Sequence, residues 1–273
     1  MSKVIFILLD ACGYAAGSRG LGFPEHLCEE GKLAKYRIQG QLPSISRPMY
    51  ETLMTGVPVW EHGVTNNTIT RPSICQNIFS LCRENGLSTA AAAYMWMSEL
   101  YNGKVFDRAT DRYQFDSNGT ICNGIFYSDD AYPDSHLFMD ADFLLRSRQP
   151  DFLLVHSMGI DLVGHQAGSD SSRYHNAIAA ANELLAISIP SWLAMGYDIV
   201  VTADHGMDAM GIHGGPAEEQ RLVPLYILSD NVKKGDYSDS LISQLEVAPL
   251  VCRLLGITPG YKMCKELHLK FTQ

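Results

Sequence analysis

Six side chains in this 273-residue sequence are of types that bind a divalent cation, and they fall in short polar blocks. Asp10 follows the apolar run V-I-F-I-L-L. Asp161 and His165 stand in D-L-V-G-H, Asp204 and His205 in T-A-D-H-G-M, and His213 in G-I-H-G-G-P. Carboxylate oxygens mixed with imidazole nitrogens suit Zn²⁺ or Mn²⁺. Each residue also has an ordinary alternative. Asp10 could be a helix N-cap, and Asp161 and His165, four apart, a surface ion pair on one helical turn. Asp204-His205-Gly206 could be a turn, and His213 a solvated loop histidine. All of these would have to hold together, which favours a metal cluster.

A nucleophile candidate lies upstream. In L-P-S-I-S-R-P, Ser46 precedes a helical stretch that stops at Thr55-Gly56. Backbone N–H groups and the dipole at a helix start favour an alkoxide and a bound phosphate. Pro48 is tolerated in a first turn. Taken alone, Ser46 also reads as an N-cap.

These residues need a frame. Segments 3–9, 151–157, 197–202 and 222–228 read as strands buried on both faces. Helical patterns cover 47–55, 76–85, 171–187 and 239–255, with Gly56, Gly86 and Gly256 as stops. Segment 89–94 reads either way: its alanines favour helix, its place in the alternation a strand. Strand–helix alternation predicts an α/β fold, a mostly parallel sheet with helices on both faces. In such sheets ligands bind beyond the carboxyl ends of the strands, where the Asp and His blocks fall. Residues 98–135 are Asn-, Asp-, Gly- and Tyr-rich. They read as an insertion over the sheet's edge, either a substrate lid or a plain surface excursion. No repeat or linker interrupts the chain, so one domain over 1–273 is expected.

With 21 Lys+Arg against 30 Asp+Glu the net charge is −9. Such a chain binds nucleic-acid polymers poorly, and an anionic substrate requires local positive charge, which metal ions could bring. Seven scattered cysteines without a C-x-x-C fit reduced thiols in a cytoplasmic protein. No apolar run approaches the ~18 residues of a membrane span. Residues 4–9 are also too short for a signal sequence. The absence of G-x-S-x-G, P-loop and G-x-G-x-x-G patterns removes serine-hydrolase, kinase and dehydrogenase readings.

Together the blocks resemble the alkaline phosphatase superfamily, and within it the type I phosphodiesterase/nucleotide pyrophosphatase family. The resemblance rests on Leu9-Asp10, Pro43 to Met49 with Thr55-Gly56, and Asn66-Asn67. It continues through Asp161 to His165, Asp204 to Met207, His213-Gly214 and the closing 245–257 segment. It implies an alkaline-phosphatase-like three-layer sandwich and two divalent ions, zinc or manganese. Asp161, His165 and His213 would hold one ion; Asp10, Asp204 and His205 the other, with Ser46 coordinated to it. It implies phosphodiester or pyrophosphate hydrolysis through phospho-Ser46, with Asn67 donating to a phosphoryl oxygen. The substrate would be a small phosphorylated molecule such as a nucleotide. Arg47 departs from the usual pattern and reads either as a substrate contact or as a solvated first-turn residue. The alternatives are a phosphomonoesterase or phosphonate hydrolase on the same scaffold, or a metal- and nucleotide-binding pseudoenzyme.

Overall fold

A computed structural model describes residues 3–272. Nine strands form its sheet: β1 (Lys3–Leu9), β2 (Ala34–Gln39), β3 (Thr89–Tyr94), β4 (Tyr113–Gln114), β5 (Asn123–Tyr127), β6 (Phe152–Ser157), β7 (Tyr197–Thr202), β8 (Leu222–Leu228) and β9 (Gly235–Ser243). Their order is β4-β5-β3-β6-β1-β7-β8-β2-β9. β4 and β8 pair antiparallel with their neighbours, and the other pairings are parallel. The α/β sheet with helices on both faces is thus the observed fold.

The central strands are continuous apolar runs because both their faces are covered. Val4 to Leu9 of β1 are at most 1% exposed. The helices Asp134–Arg148 and Ser172–Ala194 pack together on one face; Ser46–Thr55, Ile78–Glu84 and Val247–Leu255 pack on the other. Ser172–Ala194 is long and apolar enough to cross a membrane by length and composition, contrary to the sequence expectation. Here it is a sandwich helix. Tyr174, Ile178, Ala181, Leu185, Ile189 and Trp192 recur at helical spacing as a buried stripe.

Other expectations are resolved or corrected. Segment 89–94 is a strand, fully buried between β5 and β6. The helix expected over 239–255 begins only at Val247. Residues 235–243 form β9, and Pro249 explains the late start, since proline fits a first turn but not a helix interior. The 98–135 excursion does not lie apart from the sheet; it contributes β4 and β5 to the edge beyond β3.

For the site, the decisive feature is that β6, β1 and β7 are adjacent and parallel. Their carboxyl ends lie side by side. Asp10 follows β1 directly, Asp161 and His165 lie on the Gly159–Ala167 helix after β6, and Asp204-His205 follow β7.

Candidate active site

Asp10 is fixed from several sides. Its Oδ2 lies 3.0 Å from His156 Nε2 of β6 and accepts the Tyr50 hydroxyl from the Ser46–Thr55 helix. The next residue, Ala11, has φ +59°, a left-handed conformation uncommon outside glycine. That turn sends the Ala11 N–H to Asp204 Oδ1 at 3.1 Å and lets Ala11 O accept the Tyr174 hydroxyl at 2.6 Å. The ends of β1 and β7 are thereby tied together. Gly206 is required behind them, since a Cβ there would fall 2.1 Å from the Glu219 carbonyl oxygen.

The three candidate histidines share one device. Nδ1 of His205 lies 2.9 Å from Gly206 O, Nδ1 of His165 lies 2.8 Å from Gly211 O, and Nδ1 of His213 lies 3.2 Å from Ser44 O. A carbonyl only accepts, so each Nδ1 carries a proton, and each Nε2 turns inward as the atom left to meet a cation or a carboxylate. His213 Nε2 is 3.2 Å from His165 Nε2 and 3.7 Å from Asp161 Oδ1. His165 Nε2 is 3.5 Å from Asp161 Oδ2. His205 Nε2 is 3.1 Å from Asp204 Oδ2 and 3.4 Å from Asp10 Oδ1.

Each of the three carboxylates nonetheless keeps one oxygen without a donor. Asp10 Oδ1, Asp161 Oδ1 and Asp204 Oδ2 are buried and lack any hydrogen-bond partner. Burial pushes the carboxyls of Asp10 and Asp204 far up from their ordinary range, and lifts Asp161 to about 7. Burial also pulls His213 down to about 3, keeping it neutral. Buried lone pairs converging on one another suit cations between them. Asp10, Asp204 and His205 form one group of candidate ligands; Asp161, His205 and His213 form another. His205 therefore sits between the groups, and His165 adjoins the second. All six sequence-predicted ligands come together.

Ser46 is the first residue of the Ser46–Thr55 helix, whose N-cap is Ile45. It caps nothing. Its Oγ lies 3.2 Å from His205 Nε2, facing the cluster. Ser44, by contrast, spends its hydroxyl on Gly215 O at 2.9 Å. Asn67 Oδ1 accepts the Arg47 N–H at 3.0 Å, which leaves the amide NH₂ as a free donor edge. Arg47 departs from both sequence expectations. It is 1% exposed, and its guanidinium pairs with Glu99 at 2.6 Å instead of facing solvent or substrate. Desolvation of so large a charge demands such a partner.

Sequence reasoning missed His156, Tyr50 and Glu99. A histidine inside an otherwise apolar strand was a usable signal, because buried imidazole needs a partner. Tyr50 lies four residues after Ser46 and so shares its helix face. Glu99 gave no signal.

The sequence profile of the type I phosphodiesterase/nucleotide pyrophosphatase family matches residues 4–223. The chain is 24% identical over 271 residues to the catalytic subunit of GPI ethanolamine phosphate transferase 2 of Homo sapiens, covering 94% of this chain and 26% of that protein. GPI ethanolamine phosphate transferase 2 of Schizosaccharomyces pombe is 24% identical over 292 residues, covering 94% and 36%. The chain thus spans about a quarter to a third of the length of these relatives. Murine ectonucleotide pyrophosphatase/phosphodiesterase 5, solved in an inactive form with AMP, superposes with a TM-score of 0.73 at 13% identity over 95% of this chain and 96% of that one. The human counterpart gives 0.70 at 14% identity, covering 94% and 95%. At such identities the likeness is one of fold. With the profile covering most of the chain and the fold shared throughout, the chain belongs to the type I phosphodiesterase/nucleotide pyrophosphatase family, on an alkaline-phosphatase-like α/β scaffold.

Proposed function

We propose that this chain cleaves phosphodiesters, or the related pyrophosphate bonds, through a covalent phospho-Ser46 intermediate. One observation carries the reading. An uncapped serine hydroxyl at a helix start lies 3.2 Å from the imidazole shared by two candidate ligand groups. Asp161, His165 and His213 would hold one divalent ion and Asp10, Asp204 and His205 the other, with Ser46 beside the second; zinc suits the donors best, with manganese as the alternative. Such ions supply the positive charge that makes the serine hydroxyl acidic and balances phosphate.

The chain's own residues do the rest. Ser46 Oγ forms a bond to phosphorus as the bond to the leaving alcohol breaks, the serine proton being lost and the alcohol gaining one. The helix start and the Asn67 NH₂ face the negative phosphoryl oxygens. Water then forms the new bond to phosphorus as the Ser46 Oγ–P bond breaks, the water giving up a proton and Ser46 Oγ regaining one. A second reading replaces that water with an acceptor alcohol, making the chain a transferase; it is favoured by relatives named as ethanolamine phosphate transferases.

Diesters should be preferred. A monoester dianion needs an additional cation, and Arg47 is closed off by Glu99. One donor at the transition state is worth ~3 kcal/mol, so kcat/KM for a nitrophenyl nucleotide diester should exceed that for nitrophenyl phosphate by ~100-fold. The panel should include a nitrophenyl phosphonate and added acceptor alcohols, with metal-loaded protein. Ser46→Ala should keep its metal and lose ~10³-fold or more in turnover. A monoester preference would replace the diesterase with a phosphatase. Full activity in Ser46→Ala would remove the nucleophile.

A further inference from the structure

Arg47 is the neighbour of Ser46 in the first helical turn, and it grips one loop twice. Its backbone N–H donates to Asn67 Oδ1 at 3.0 Å, and its Nη1 donates to the Ile69 carbonyl at 2.9 Å. The other end of the fork, Nη2, lies 2.6 Å from Glu99 Oε2. The Trp96 ring stacks over the guanidinium, 4.5 Å from Cζ. Glu99 is itself anchored, because its second oxygen accepts the Phe106 N–H at 3.2 Å. The clasp therefore runs from the nucleophile helix, through the 66–69 loop, into the 98–135 segment.

Two details say what the clasp does. A backbone N–H can only donate, so the Asn67 atom facing it is the carbonyl oxygen, and the NH₂ edge is turned away from the helix backbone. The guanidinium, meanwhile, is closed to solvent. Each Nη makes one hydrogen bond, Nε is buried without a partner, and the side chain is 1% exposed. A phosphate oxygen has no open path to it.

We propose that Arg47 is a positioning residue: with Glu99 and Trp96 it clamps the 66–69 loop to the nucleophile helix, so that the Asn67 NH₂ is held as a donor to the phosphoryl group, while Arg47 itself never touches substrate. The inference rests on the reading of Ser46 and Asn67 given above. It predicts that the effect of Arg47 on the reaction passes entirely through Asn67.

Arg47→Lys is the informative variant, since an ammonium keeps the charge but cannot hold Glu99 and Ile69 in one planar fork. Glu99→Gln serves as the second, milder variant should the lysine protein fold poorly. On a nitrophenyl diester, Asn67→Ala should lower kcat ~100-fold. Arg47→Lys should lower kcat about tenfold with KM little changed, a partial loss of that same donor. The double variant should be no slower than Asn67→Ala alone. Hydrogen exchange in peptides covering 64–71 should quicken in Arg47→Lys. Multiplying losses in the double variant, a loss confined to monoesters, or unchanged kcat in both Arg47→Lys and Glu99→Gln would overturn the proposal. A Ser46→Ala control separates the two levels. If it is active the nucleophile reading fails; if it is dead while the losses multiply, only the role of Arg47 fails.

Discussion

His213 is the ligand candidate with the least local support, and for that reason the most informative to remove. It stands in a glycine-rich loop, held by its Nδ1–H to Ser44 O at 3.2 Å and followed by Gly214 at φ +108°. Its ring stacks on His205 with centroids 3.8 Å apart, which carries it into the cluster. We expect His213→Ala to reduce bound metal from two ions per chain toward one, as read by elemental analysis of dialysed protein. Unchanged stoichiometry would remove it from the ligand set. At this level much was legible in the sequence. Asp10, Asp161, His165, Asp204 and His205 occur in short blocks just past apolar runs, and residue type alone limits what such blocks can do. Arg47 was not legible. Whether an arginine is solvated, bound to substrate or locked onto a glutamate depends on a partner 52 positions away.

The Ser46–Thr55 helix has its own electrostatic signature, away from the Asp/His cluster. Glu51 is buried on it without a cation in contact, accepting the Ser73 hydroxyl at 2.5 Å and the Tyr101 hydroxyl at 3.1 Å. Burial lifts its carboxyl from 4.5 to about 7, with the two hydroxyls and Arg71 working against the rise. The folded state therefore holds this proton more tightly than the unfolded chain does. Its stabilising contribution is complete below about 4.5 and is lost as pH climbs through about 7. At ~1.4 kcal/mol per pH unit, wild type loses roughly 2–3 kcal/mol between pH 5 and pH 8 through this group. Glu51→Gln cannot ionise. Its melting temperature relative to wild type should rise by roughly 4–5 °C over that interval, measured by thermal unfolding at both pH values. A difference independent of pH would contradict the assignment. Among elements, strands buried on both faces were readable because their apolar runs are continuous. β2 and β9 were not. Lys35 and Arg37 break the apolar pattern of β2, and Lys35 is buried there only because Glu25 meets it at 2.7 Å. β9 is a polar edge strand, and its last residues were absorbed into an apparent helix that Pro249 should have shortened.

Taken whole, the molecule would, on the proposed function, bind an anion in a chain of net charge −9. On the proposed function, three carboxylates and a Ser46 alkoxide would carry −4 once ionised beside two divalent ions, which would neutralise them, so no broad basic surface is needed. The fold supports this by bringing three parallel strand ends together and burying Asp10, Asp161, Asp204 and His205, while His165 stays half-exposed. Whether water or an alcohol finishes the reaction depends on surfaces beyond the cluster. The longer relatives have far more chain with which to build such surfaces. The first half of the reaction is common to both outcomes, and there the reading is most exposed. Metal-loaded protein mixed with a nitrophenyl nucleotide diester, acid-quenched within a turnover and mapped by mass spectrometry, should carry a nucleotidyl phosphate ester on Ser46. Ser46→Ala, with its metal retained, should carry none. An adduct on another residue of the wild type, or one that persists in Ser46→Ala, would contradict the assignment of Ser46 as nucleophile.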